Sequence, residues 1–295
     1  MNRIVVKENF SQDPAVYMMQ IEAPLIARKA KGGQFVVLRV NEQGERIPLT
    51  IADTEVEKGL VTIVFQVVGK STATLGQLRV GDEVLDFIGP LGKPTHMDDY
   101  DTVLCVAGGI GIAPIYNIVR ELKNCGNKVI TIMGARTKDL LFWEDKMRAL
   151  ADEVFVTTDD GSYGHHGLVT AIEQELLEND RDRGKINLVI GIGPPIMMKF
   201  VAKTSEPYGV KTLVSLNPIM VDATGMCGAC RVTVGGKTRF VCVDGPEFDG
   251  HQVDFDELFT RQRIYLEQEK VSMELFCQSQ ASACKSNCNC DGEAS

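Results

Sequence analysis

Three cysteines and one aspartate supply the strongest chemical signal in the sequence. Asp222 is followed after four residues by Cys227, after two more by Cys230, and after a further eleven by Cys242. Thiolates bind soft and borderline metals, and a C-x2-C pair with a distant third cysteine serves both iron–sulfur clusters and structural zinc. Between Cys230 and Cys242, Arg231-Val232-Thr233-Val234 and Lys237-Thr238-Arg239-Phe240-Val241 flank Gly235-Gly236, a two-residue hairpin signal. Pairing across that turn sets Cys242 opposite Ala229, so the three sulfurs converge. Gly225 and Gly228 let the loop wrap a cluster and aim backbone amides at its sulfurs, which tunes its potential. A fourth ligand is needed, and Asp222 stands where a fourth cysteine is lacking. These residues leave two alternatives open: Asp222 as a turn cap with Cys277 as the fourth ligand, and zinc instead of iron. Zinc carries no electrons, so beside nucleotide sites a [2Fe-2S] cluster is the better expectation.

Two further motifs suit phosphate groups. Gly108-Gly109-Ile110-Gly111-Ile112-Ala113-Pro114 follows the apolar run Thr102–Val106 and precedes a helical stretch, Ile115–Leu122. Glycines there let the backbone approach a pyrophosphate, and open amides at a helix start favour the anion, although a tight strand–helix connection reads the same way. Later strand ends at Met133–Thr137, Thr157–Gly161 and Gly191–Pro195 are also polar or glycine-rich, so four ends make one crevice. In it, Arg136 can pair with an adenosine phosphate or ribose, or cap a turn. Asp159 can accept ribose hydroxyls, and Asp160 reads better as a solvated turn. His165 and His166 receive no role. The second motif, Gly69-Lys70-Ser71-Thr72, ends a strand and opens a short helix capped by Ser71 or Thr72, whose amides can hold another pyrophosphate or simply start a helix. It is not a P-loop, because Val64 occupies the place of the upstream glycine. Upstream, in Arg46-Ile47-Pro48-Leu49-Thr50, the proline removes one backbone donor and Thr50 can offer a hydroxyl to a ring nitrogen.

These residues need scaffolds. Short β-rich runs such as Gln34–Val40 and Val61–Val67, separated by glycine and charged turns, predict a small antiparallel barrel over residues 1–96. Apolar strands at Thr102–Val106, Lys128–Met133, Glu153–Thr157 and Ile186–Ile190 alternate with helices, predicting a doubly wound parallel α/β domain over 97–212. A cysteine-bearing module follows over 213–250, then a helix over 251–278 and a small-residue tail over 279–295. The class is thus α+β and multidomain. The tail carries Cys284, Cys288 and Cys290, which with Cys277 could hold a second metal but read better as a variable extension. The net charge of −9 offers no basic stripe for nucleic acid. Met1–Val6 is followed at once by polar residues, and Val103–Val119 is short and broken by glycines and Pro114, so neither an export signal, a membrane span nor disulfides are expected, and a cytoplasmic location is.

A barrel with these two elements, followed by the Gly-Gly-x-Gly-x-Ala-Pro turn, resembles the ferredoxin–NADP reductase superfamily over about Ile4 to Lys211. With the cysteine segment added, the chain is similar to the small subunits of NADH-dependent reduced ferredoxin:NADP oxidoreductase and of sulfide dehydrogenase, and more distantly to the electron-transfer subunit of dihydroorotate dehydrogenase. The resemblance implies FAD on the barrel, held by Arg46, Pro48, Leu49, Thr50, Gly69, Lys70, Ser71 and Thr72, with Thr50 beside flavin N5 as the catalytic candidate. It implies NAD(H), or NADP(H), on Gly108, Gly109, Gly111, Ala113, Pro114, Gly193 and Pro194, beside the Arg136 and Asp159 candidates of the crevice. It also implies a [2Fe-2S] cluster on Asp222, Cys227, Cys230 and Cys242, a larger flavin and iron–sulfur partner subunit, and ferredoxin reached indirectly. Two departures stand out. Ile47 takes the usual arginine place three residues before Thr50, leaving Arg46 one residue early, and Ile192 replaces the cysteine of the Cys-Gly-Pro motif, so no catalytic thiol is expected there. The expected function is hydride exchange between NAD(H) and FAD, with single electrons passed through the cluster in a bifurcating complex. The rivals are an electron-transfer subunit for sulfide or dihydroorotate chemistry, and a zinc-stabilised, non-catalytic nucleotide-binding sensor.

Overall fold

β-Branched and aromatic runs become strands because such side chains fill a pleated, half-buried surface. The computed structural model describes residues 2–180 and 185–287, with side chains through Gln280. Six strands, β1 (Ile4–Gln12), β2 (Ala15–Glu22), β3 (Phe35–Arg39), β4 (Ile47–Glu55), β5 (Leu60–Gln66) and β6 (Asp86–Leu91), lie in the order β1-β2-β5-β4-β3-β6. The backbone N–H of Ile4 donates to Asp82 and that of Gly81 donates back to Ile4, at 2.9 and 2.8 Å, which returns the chain to β1 and closes the barrel. Two helices interrupt it, α1 (Pro24–Ala27) and α2 (Lys70–Gln77).

The second sheet is parallel through β7 (Thr102–Gly108), β8 (Lys128–Ala135), β9 (Glu153–Thr158), β10 (His165–His166), β11 (Ile186–Ile192) and β12 (Lys211–Ser215), in the order β10-β9-β8-β7-β11-β12. Helices α3 (Ile112–Asn124) and α4 (Glu144–Arg148) pack on one face, and α5 (Val169–Asp180) and α6 (Pro195–Ser205) on the other. The strand order turns between β7 and β11, and such a switch point opens a crevice at the carboxyl ends of the strands. Strand β12 crosses residue 212, where the sequence pattern alone places a boundary, because the parallel sheet takes it as a full strand beside β11.

The last module is a hairpin, β13 (Arg231–Val234) and β14 (Lys237–Phe240), a helical turn α7 (Val241–Asp244), and β15 (Glu247–Asp249), which pairs antiparallel with β12. The single helix expected beyond Asp254 is two: α8 (Phe255–Gln262) breaks at Arg263, and α9 (Leu266–Asn287) continues past Ser279, where a tail is expected. Alanine and serine carry little penalty within a helix, so a small-residue composition does not stop one. Cys288 and Cys290 lie outside the described residues, as does the side chain of Cys284.

Two shared cores join the modules. One packs Val16, Met18, Ala52 and Val64 of the barrel against Ile112, Ala113 and Ile115 of α3. The other packs Phe35 and Val37 of β3 with Cys230, Val232, Val241 and Cys242.

Candidate functional site

The hairpin register pairs Arg231 with Phe240 and Val234 with Lys237, as the Gly235-Gly236 turn requires. Continued outward, it would place Cys242 opposite Ala229, but the chain turns into α7 at Val241, so Cys242 approaches from a helical turn. The outcome is close: the sulfurs of Cys230 and Cys242 lie 3.2 Å apart. Burial pushes the Cys242 thiol up to about 12, with the neighbouring Cys230 adding to it. Asp222 accepts from the Thr224 backbone N–H at 2.9 Å, which holds its carboxyl below the usual carboxylate range, and hydrogen bonding from Cys227 acts the same way. The negative charge of Asp222 is also felt at Cys242.

Among the described residues, no three His, Cys, Asp or Glu side chains form a ready pocket for one metal ion. Cys230 and Cys242 adjoin, and Asp222 interacts with both Cys227 and Cys242. Three thiolates and a carboxylate gathered in one loop region are a donor set that suits an iron–sulfur cluster. Backbone amides already face the sulfurs: Ala229 N–H lies 3.5 Å from Cys227 Sγ and Cys242 N–H 3.5 Å from Cys230 Sγ. Gly225 at φ +84° and Gly228 at φ +68° supply the left-handed turns this wrapping needs. Cys277 sits on α9 beside Phe276, which lines a cavity with residues of α2.

On the barrel, Pro48, Leu49 and Thr50 lie in β4, directly across from Val37, Val36 and Phe35 of β3. Arg46 is exposed in the turn before β4, so it has no strand face at all. The cap of α2 differs from the serine or threonine expected. Gly69 is the N-cap, and Thr72 reaches back, its Oγ1 accepting from the N–H groups of Val68 and Gly69 at 3.0 and 3.1 Å. The first-turn amides of α2, on Lys70, Ser71 and Thr72, have no partners within the helix. A Cβ built on Gly69 would meet nothing within 4 Å, so the backbone is open to a ligand. A cavity of about 270 Å³ adjoins it, lined by Asn41, Glu45, Lys70, Ser71 and Phe276. Ser71 Oγ lies 3.2 Å from Glu45 Oε2 in that wall. This is a cradle that fits a dinucleotide phosphate.

In the second sheet, Gly109 adopts φ +54° with open space above it, the same cradle property. Gly108 and Gly111 also serve packing. A Cβ on Gly111 would stand 2.0 Å from the Ile192 carbonyl oxygen, and one on Gly108 would stand 2.3 Å from Met197 Sδ. Ala113 and Pro114 are buried in the first turn of α3, so they shape the turn from behind. Gly193 and Pro194 close the crevice from the end of β11, with Gly193 against Met197 and the Gly108 carbonyl. Arg136 and Asp159 are exposed at the neighbouring ends of β8 and β9, where Asp159 N–H donates to Ala135 at 3.0 Å. Asp160 is a turn former, accepting from Ser162 N–H and Oγ at 3.0 and 2.7 Å. His165 and His166 form the exposed edge strand.

Several contacts that organise the site carry no local sequence signal. Arg120 of α3 pairs with Asp53 of β4 and with Asn117, fastening the nucleotide helix onto the flavin strand. Glu121 accepts from the Gly32 N–H at 2.7 Å, and Thr95 donates to Glu247 at 2.6 Å. The Glu247 carboxyl is enclosed where all three modules meet, and burial pushes it up to about 7.

Family comparisons follow this division. Residues 2–96 match the oxidoreductase FAD-binding domain, 105–203 the oxidoreductase NAD-binding domain, and 217–254 the iron–sulfur cluster binding domain of dihydroorotate dehydrogenase B. A Thermotoga maritima homologue of the dihydroorotate dehydrogenase B electron-transfer subunit is 50% identical over 94% of this chain and 95% of its own. The electron-transfer subunit of Desulforamulus reducens is 35% identical over 81% of this chain and 93% of its own. A solved chain from the NADH-dependent reduced ferredoxin–NADP oxidoreductase, studied for flavin-based electron bifurcation, is 48% identical and covers 94% of this chain and 98% of its own, with a TM-score of 0.86. A ferredoxin–NADP+ reductase from Neisseria gonorrhoeae, at 20% identity and a TM-score of 0.58, shares the fold. The chain thus carries FAD-binding, NAD-binding and iron–sulfur-binding domains, and among the described residues no helix is long and apolar enough to cross a membrane.

Proposed function

The chain belongs to the family of dihydroorotate dehydrogenase B electron-transfer subunits and their homologues, and on that footing we propose that it is the small subunit of an electron-bifurcating NADH-dependent ferredoxin:NADP oxidoreductase. One arrangement carries the proposal. Phe35 and Val37 of β3, paired with Thr50 and Pro48 of β4, share a buried core with Cys230 and Cys242, so one strand separates the proposed flavin strand from the cluster hairpin.

Bound FAD would supply a hydride acceptor able to release electrons singly, and a bound cluster would supply a one-electron relay. The chain's own residues bind and orient. The open amides of Lys70, Ser71 and Thr72 hold the FAD pyrophosphate, with Gly69 allowing close approach and Arg46 supporting it from the turn before β4. Pro48, Leu49 and Thr50 would line the flavin ring, with the Thr50 hydroxyl as the group to address N5. The turn at Gly108, Gly109 and Gly111, backed by Ala113, Pro114, Gly193 and Pro194, seats the nicotinamide nucleotide, and Arg136 and Asp159 hold its adenosine half. Hydride brings its own electron pair, so no acid or base is required. Asp222, Cys227, Cys230 and Cys242 ligate the cluster. Electrons leave toward a larger flavin and iron–sulfur subunit, with ferredoxin reached through that partner in the cytoplasm.

Service to a dihydroorotate dehydrogenase is the second reading, favoured by the electron-transfer subunits at 30–35% identity. Identification of the copurifying subunit, followed by substrate assays, separates the two. Anaerobically purified protein should contain iron and FAD and develop a paramagnetic signal when NADH is added. Asp222→Ala should alter that signal while FAD stays bound, and an unaltered spectrum would remove Asp222 from the ligand set.

A further inference from the structure

The loop that carries Cys227 and Cys230 is held from outside by two arginines. Arg231 Nη1 donates to the Gly228 carbonyl at 3.3 Å, alongside the Arg231 backbone N–H at 3.3 Å. Arg261, thirty-two positions from Ala229 and on a different element, α8, reaches across to donate Nη2 to the Ala229 carbonyl at 3.0 Å. The next carbonyl, Cys230, accepts from Val241 N–H at 3.2 Å. Three consecutive carbonyls of the loop are therefore each held by a hydrogen bond.

A trans peptide is planar, so a carbonyl pulled one way turns the N–H of the same unit the other way. The Gly228–Ala229 unit shows this: its carbonyl meets Arg231 while its N–H faces Cys227 Sγ at 3.5 Å. In the Ala229–Cys230 unit the carbonyl meets Arg261, so planarity turns the Cys230 N–H away from Arg261. Arg261 also brings an uncompensated positive charge. Among the described residues neither Arg231 nor Arg261 has a carboxylate partner within ion-pair distance, and Arg261 Nε is buried without a hydrogen-bond partner.

We propose that Arg261, assisted by Arg231, is a positioning residue that sets the reduction potential of the cluster, by turning loop amides toward the thiolates and by holding positive charge behind the loop. The inference rests on the cluster reading above. Reduction adds one electron and no proton to a group that is already anionic with three thiolates and a carboxylate. Amide hydrogen bonds and nearby cations both favour that added charge, and both are recognised controls of cluster potential.

The test is a redox titration of the intact complex, with the cluster followed by paramagnetic resonance and FAD by absorbance. Arg261→Gln can still donate to the Ala229 carbonyl but lacks the charge. It should move the cluster midpoint negative, by about tenfold in the reduced-to-oxidised ratio at fixed poise, equivalent to about 59 mV for one electron. Arg261→Lys, which keeps the charge, should restore most of the difference, and Arg231→Gln should shift in the same direction by less. The FAD midpoint should stay in place throughout. A fully loaded Arg261→Gln protein with the wild-type midpoint overturns the proposal. If that variant fails to load its cluster, Arg231→Gln decides, and its unchanged midpoint overturns the proposal equally. A wild-type protein without iron would instead refute the cluster reading itself.

Discussion

Replacing Gly111 by alanine isolates the close approach between the nucleotide turn and the end of β11. Gly111 has φ −58° and ψ −14°, which alanine adopts freely, so backbone strain plays no part. What forbids the methyl group is position. It would stand 2.0 Å from the Ile192 oxygen, 2.6 Å from the Ile192 carbonyl carbon and 3.0 Å from the Gly193 nitrogen. All three are backbone atoms, and they cannot rotate away. Relief requires the turn and the strand end to separate by roughly 1 Å, and overpacking of this kind costs about 1–3 kcal/mol. The same displacement parts the two walls of the nicotinamide crevice, and a misplacement of about 1 Å can slow a positioned reaction by about 10²-fold. Stopped-flow bleaching of FAD by NADH should therefore slow by about that factor, with the melting temperature down by a few degrees. Gly109→Ala is the contrast. Its methyl enters open space above the turn, so packing is spared; φ +54° adds about 1–2 kcal/mol of backbone strain, nucleotide volume is taken, and the catalytic loss should fall mainly on KM. Wild-type bleaching rate and melting temperature in Gly111→Ala would refute the steric reasoning.

Other outcomes follow from single contacts. Glu247 has its carboxyl pushed up to about 7 by burial, so its contribution to stability is full below pH 4.5 and is lost as pH rises to about 7. Glu247→Gln should raise the melting temperature at pH 8 relative to wild type and have little effect at pH 4.5, which scanning calorimetry at both values would check. Glu173 is fully buried on α5 with neither oxygen partnered among the described residues, and burial pushes it up to about 9. Glu173→Met should stabilise the fold by about 1–3 kcal/mol, with the gain growing as pH rises toward 9, and denaturant titration measures it. Thr72→Val removes the acceptor for two N–H groups at the start of α2, costs about 1 kcal/mol, and should weaken FAD retention several-fold by equilibrium dialysis.

Much of this architecture was legible because its signals are local. The β-rich run Val61–Val67 marks a barrel strand, and the apolar run at Thr102–Val106 before three glycines marks the first parallel strand. Gly235-Gly236 predicts the hairpin register residue for residue. Local signals fail where the structure is decided at a distance. Cys242 leaves its expected strand because Val241 and Cys242 are drawn into a core with Phe35 and Val232. The Arg120–Asp53 pair spans sixty-seven positions, and no periodicity in either segment announces it. Gly108 and Gly111 look like ligand glycines in the sequence, and their missing side chains also make room for Met197 and Ile192, while Gly109 and Gly69 stand open. Glu173 reads as an ordinary polar helix residue and turns out to be enclosed.

The continuous core from Ala52 and Val64 to Ile112 and Ile115 bears on how such chains can be recombined. A nucleotide domain exchanged between two relatives at the obvious linker would bring an α3 surface shaped for a different β4. Chimeras should keep both cofactors only when the barrel residues beneath α3 travel with the helix. Calorimetry on the intact chain should record one melting event for both domains.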